Sequence, residues 1–148
     1  MKNRVVIMVA FTFLWIGFVG AISFMEAWLK FRAPNVTIPI GLGIGKLVFR
    51  ALNKVEWFCC VILLINFILM KKKQWAKSSL LVWLATSCFI LLLQTWVLLP
   101  ILENRADVYL KGEFVSPSNV HFFYVALEVV KVTVLLIFGT IFLKEQLH

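Results

Sequence analysis

The chain has 148 residues and a formal net charge of +8, yet it is 62% hydrophobic and only 15% charged, with 14 Phe and 6 Trp. A soluble domain holds roughly 45–50% apolar and about 25% charged residues, so this composition excludes an ordinary globular protein and indicates an integral membrane protein. The excess of bases does not point to nucleic acid, because Lys and Arg are spread over several connections and into apolar stretches instead of forming one basic patch.

Crossing a hydrocarbon core about 30 Å thick takes roughly 20 mainly apolar residues. Four stretches supply them, near 5–25, 47–70, 78–99 and 119–143, within a single membrane domain over 1–148. A transmembrane barrel would alternate apolar and polar residues, and runs such as CCVILLINFILM do not. The fold class predicted is therefore all-α, a four-helix transmembrane bundle with an irregular Pro/Gly-containing outer loop between the first and second helices. The first apolar stretch lacks a small-x-small cleavage site and is read as a retained helix, with Ser23 and Glu26 at its outer end.

The loop that follows, EAWLKFRAPNVTIPIGLGIG, contains Pro34 and Pro39, which should stop regular helix, and then Gly41, Gly43 and Gly45. GLGIGK is not a phosphate loop: no strand precedes it, the spacing differs, and Leu47 follows the lysine where Ser or Thr is required. The NVT sequon at Asn35 is a possible glycosylation acceptor.

The second span opens with charge. At about 100° per residue Lys46, Arg50, Asn53 and Trp57 share an arc of roughly 60°, flanked by Lys54 and Glu56. A tight inner turn, KKKQWAKSS, leads to a third span with Trp83, Ser87 and Gln94 on one face. The second outer connection carries Pro100, Glu103, Arg105, Asp107, Lys111 and Glu113, and Ser118 is placed to cap the fourth span. There His121, Tyr124 and Glu128 share an arc that Lys131 extends; counted from Asn119, Glu128 lies about 13 Å in and Lys131 about 18 Å. This face is the expected partner of the polar stripe on the second span.

Lys71, Lys72, Lys73 and Lys77 in the inner turn, with Lys2, Arg4 and Lys144 at the ends, predict both termini in the cytoplasm, in a plasma or bacterial inner membrane. The remaining acids, apart from Glu145, fall toward the other side or mid-membrane. Cys59, Cys60 and Cys88 lie inside spans and form neither a CxxC pair nor a disulfide framework. His121 is the one histidine within a span, which excludes bis-histidine haem ligation and HExxH zinc chemistry. A carboxylate-rich metal site drawn from Glu56, Glu103, His121 and Glu128 stays open, and no cofactor is specified.

A charged side chain at the membrane centre costs on the order of 2.5–3.5 kcal/mol on insertion scales. The polar set to be explained is Glu26, Lys46, Arg50, Asn53, Glu56, Gln94, His121, Tyr124, Glu128 and Lys131. One reading is structural: Glu128 and Lys131 pair at i, i+3, Glu56 meets a base on another helix, and Lys46 and Arg50 snorkel outward. The other is a pocket in which Glu56 and Glu128 bind a cation or proton while Arg50 and His121 hold an anionic group. No catalytic signature is present.

The run GFVGAISFMEAWLKFRAP, a second span opening VFRALNKVEW and a fourth opening SNVHFFYVALEVVK resemble the small four-helix bacterial and eukaryotic proteins grouped as transmembrane protein 205-like. The shared features are a Gly in the first span, K-F-x-A-P after it, a phenylalanine-led second span, and His with a small polar residue opening the fourth. The resemblance implies the architecture and leaves the biochemistry open. The four-span eicosanoid and glutathione enzymes carry a glutathione-binding motif in the second span that is not matched here. The leading expectation is a small membrane protein that binds or passes a small solute, ion or proton, with the bilayer and a homo-oligomer or larger complex as partners. The alternatives are a non-catalytic subunit or scaffold and an enzyme with a carboxylate/histidine site.

Overall fold

A computed structural model describes residues 2–70 and 78–147, and every regular element within them is helical. Helix α1 covers residues 2–32: regular α-helix over Lys2–Val19, π-helical turns over Gly20–Glu26, then Ala27–Leu29 and a closing 3₁₀ turn at Lys30–Arg32. Helix α2 is Ile38–Leu69. Helix α3 covers 78–110, with Ser78–Leu93 and Leu99–Leu110 joined by π-helical Gln94–Leu98, and α4 is Val120–Leu147. All four are long and apolar enough to cross a bilayer. The lysine-rich turn and His148 lie outside the described residues.

The polarity of the bundle is that of a body in lipid. Ile68, Phe89, Trp96 and Phe122 turn outward, Trp96 being 75% exposed, while Glu56, Gln94, Glu128 and Lys131 are completely buried. In water this distribution would leave a large apolar surface unsolvated; hydrocarbon welcomes it and makes polar side chains seek one another inside. The chain is a multi-pass membrane protein.

The helices run further than the sequence predicts, and the irregular first connection shrinks to residues 33–37. Pro34 lies within it, and Asn35 adopts a left-handed φ of 64° that asparagine tolerates. Pro39 does not stop a helix. It occupies the first turn of α2, where its missing N–H has no intrahelical acceptor to lose. The glycines are helical too, and Gly41 and Gly45, four residues apart, share a face against which the end of α1 folds. A Cβ on Gly41 would collide with the Phe31 ring, and one on Gly45 would lie 2.9 Å from Lys30 Nζ. Close approach over small residues at this spacing is a familiar membrane packing mode.

Helix α3 likewise continues through most of the second connection, ending where Lys111 is followed by Gly112 at φ 78°. Its π-helical turn precedes Pro100, whose ring would press on the carbonyl of residue 96 in a regular α-helix; the widened turn accommodates it. The Val120 N–H donates to Ser118 Oγ at 3.2 Å, so the expected serine does cap α4.

Helix α1 packs against α2 and α4, and α3 against α4. Trp15, Leu52, Leu63, Leu84, Leu135 and Phe138 fill the shared core. Gly139 marks a close approach of α4 to α1: a Cβ there would lie 3.2 Å from Thr12 Cγ2 and 3.4 Å from the Phe13 ring. Gly139→Leu is expected to destabilise the bundle by about 1–3 kcal/mol through overpacking, with Gly139→Ala much milder; thermal unfolding in detergent measures both, and equal stability of the Leu variant would contradict the packing described.

Candidate functional site

Lys131 of α4 lies at the centre of a network to which all four helices contribute. Its ammonium is paired with Glu56 Oε1 of α2, donates to Gln94 Oε1 of α3 at 2.7 Å, and lies 3.0 Å from Glu128 Oε2 one turn away on α4. From α1, the indole N–H of Trp15 donates to the same Glu56 oxygen at 2.8 Å. Gln94 also donates from Nε2 to the Tyr124 carbonyl at 3.4 Å, spending its amide on α4 at both ends. The widened π turn begins at Gln94, and such turns frequently accompany functional sites.

The network is incompletely satisfied. Among the described residues, Glu56 Oε2, both Glu128 oxygens and the Tyr124 hydroxyl make no hydrogen bond of normal geometry, although Tyr124 lies beside Glu128 and within electrostatic reach of both carboxylates. Buried polar atoms are rarely left in this state. Nor does the charge balance: two carboxylates face one ammonium, giving a net charge of −1 with every group ionised. Such an excess in a completely buried site is strongly unfavourable.

The stripe on α2 does not face α4, as the sequence suggests; it faces α3. Lys46 pairs with Asp107, with 2.6 Å to Oδ2. Arg50 makes a fork with Glu103, Nε and Nη2 each 2.6 Å from a carboxylate oxygen. Asn53 Nδ2 and Trp57 Nε1 both donate to Thr95 Oγ1, at 2.8 and 3.0 Å. Helical rotation explains the difference: Glu56, which flanks the stripe, carries the contact to α1 and α4, whereas the stripe turns to the acids that the longer α3 presents.

Beside the cluster, toward the end of the bundle that carries the two described connections, lies a cavity of about 220 Å³. Its walls are mostly apolar, with Lys30, Lys46, His121 and Tyr124 as the polar groups. Lys30 is paired with Glu26 at 3.2 Å and lies over the Phe31 and Phe49 rings. His121 is exposed at the mouth, whereas Tyr124, 1% exposed, lies one turn above Glu128 and packs edge-on against Phe49 with centroids 5.6 Å apart. Tyr124 is therefore the one cluster neighbour that also lines the cavity.

Comparison of the chain with family models, curated proteins and solved structures gave no match.

The ten expected site residues thus divide. Glu56, Gln94, Tyr124, Glu128 and Lys131 converge; Lys46, Arg50 and Asn53 join the α2–α3 ladder; Glu26 serves Lys30; His121 lies at the cavity mouth. Arg50 is held by Glu103 and does not line the cavity, so it does not join His121 around an anionic group. The proposed metal set does not assemble either: Glu103 is on the ladder, His121 at the mouth, and Glu56 and Glu128 on Lys131, and no group of three or more metal-ligating side chains occurs among the described residues. Sequence reasoning missed Trp15, hidden in an apolar helix; the one hint was that a buried indole N–H needs an acceptor. It also missed that Cys60 and Cys88 meet, their sulfurs 3.2 Å apart.

Proposed function

We propose that this small membrane protein binds an exchangeable proton at the Glu56–Lys131–Glu128 cluster, and that the adjacent cavity is the route by which the proton, or a small solute carrying it, reaches the site. The observation that supports this reading most directly is the surplus carboxylate. One proton shared between Glu56 and Glu128 would make the cluster neutral and turn an unpartnered carboxylate oxygen into a donor. Tyr124, with its hydroxyl beside Glu128 and its ring in the cavity wall, is the natural relay. The lysine-rich sequence between the second and third spans favours an orientation with the cavity facing outward and both termini in the cytoplasm.

A second reading has its own support. The network ties a residue of each helix to Lys131, so it could serve only to fix the order and register of the bundle. Infrared spectroscopy of the full chain in vesicles separates the two. Under the proton reading, the difference spectrum of the parent against Glu128→Gln or Glu56→Gln holds a protonated carboxyl C=O band that shifts in heavy water and fades on raising the pH. A spectrum with no such band at any pH would remove the proton reading and leave the structural one.

A further inference from the structure

Cys60 of α2 and Cys88 of α3 are free thiols 28 residues apart in sequence, with sulfurs 3.2 Å apart in the interior of the bundle. Disulfide sulfurs sit about 2.05 Å apart, so bond formation asks for an approach of about 1.1 Å. Cys59 points to a different face of α2, roughly 100° away, and does not compete for Cys88. Three cysteines in 148 residues therefore yield one matched interhelical pair and one bystander. Cys60 is 1% exposed, whereas Cys88 is half-buried, packed against the core of the bundle.

We propose that Cys60 and Cys88 form a reversible dithiol–disulfide site within the bilayer, oxidised by a lipid-soluble quinone. Exchange with a soluble disulfide requires a charged thiolate and a hydrophilic partner to meet at the sulfur, and neither condition is met in hydrocarbon. The oxidant must dissolve in the membrane and accept two electrons together with two protons, which is the chemistry of a quinone. Two S–H bonds break and one S–S bond forms; the two electrons and two protons pass to the quinone, which leaves as the hydroquinone. The bond would staple α2 to α3 one helical turn from Glu56, four residues before Cys60. This site stands independently of the proton reading.

The test uses the full chain, fully reduced, in vesicles loaded under anaerobic conditions with a decyl-benzoquinone whose ring is fully substituted, so that thiols cannot add to it, then denatured in excess maleimide and weighed intact. Reduced protein takes three adducts; after quinone the expected result is one adduct, mapped to Cys59, with the loss of two hydrogens. A membrane-permeant dithiol should restore three, and oxidised glutathione outside the vesicles should leave three. Cys59→Ser should oxidise as the parent does, while Cys60→Ser and Cys88→Ser each keep both remaining thiols. Three adducts after quinone, or a surviving label on Cys60 or Cys88, would overturn the proposal, as would full oxidation by the external glutathione.

Discussion

Lys131→Met is expected to destabilise the folded bundle by about 3–5 kcal/mol, the range for removing one partner of a buried ion pair. Methionine matches the lysine stem in length and flexibility, so the change leaves packing nearly intact and isolates the charge. Without the ammonium, Glu56 and Glu128 face each other across a completely buried space, and Gln94 Oε1 loses the donor it accepts from at 2.7 Å. Trp15 still donates to Glu56, but one neutral N–H does not compensate two buried carboxylates. Unfolding in mixed micelles, followed by tryptophan fluorescence, gives the loss. The triple variant carrying Lys131→Met with Glu56→Gln and Glu128→Gln should recover most of it, because replacing a whole buried ionic group is often close to neutral. If the triple were as unstable as the single variant, lost packing and not unbalanced charge would be the cause.

Much of this arrangement was legible in the sequence, for reasons that belong to the bilayer. Span number follows from apolar length, and ionisable residues deep in a span must meet partners because the alternative is bare charge in hydrocarbon. Glu128 and Lys131, at i, i+3, were therefore predictable as a pair, and so was a base opposite Glu56. The partner of the α2 stripe was not. Which helix faces a given arc depends on packing order around the bundle, and nothing in the local pattern of Lys46, Arg50 and Asn53 encodes it.

The glycine run misled for a related reason. Alternating glycines weaken a helix in water, but in a membrane an unpaired backbone is worse than a glycine-rich helix. Gly41 and Gly45 instead provide the flat face that admits Phe31 and Lys30. That same fold-back places Lys30 and Phe31 in the cavity wall. The cavity thus depends on the segment whose sequence looked least regular.

The two carboxylates of the cluster are expected to be unequal alone and strongly coupled together. Glu56 accepts from Trp15 and pairs with Lys131, so Glu56→Gln should cost about 1.5–3 kcal/mol, the range for hydrogen bonds to charged groups. Glu128 pairs with Lys131 and lies beside the Tyr124 hydroxyl, but neither of its oxygens makes a hydrogen bond of normal geometry among the described residues. Glu128→Gln removes the surplus negative charge while Glu56 still balances the lysine, so it should leave stability within about 1 kcal/mol of the parent or raise it. The double variant reverses the situation: the Lys131 ammonium remains completely buried, with Gln94 as its one described hydrogen-bond acceptor of the original set. Its loss should therefore exceed the total of the two single losses by about 1–3 kcal/mol, a coupling typical of residues in one charged network. A coupling below about 0.5 kcal/mol would mean that the carboxylates act as independent sites, and the shared proton proposed for them would lose its structural basis.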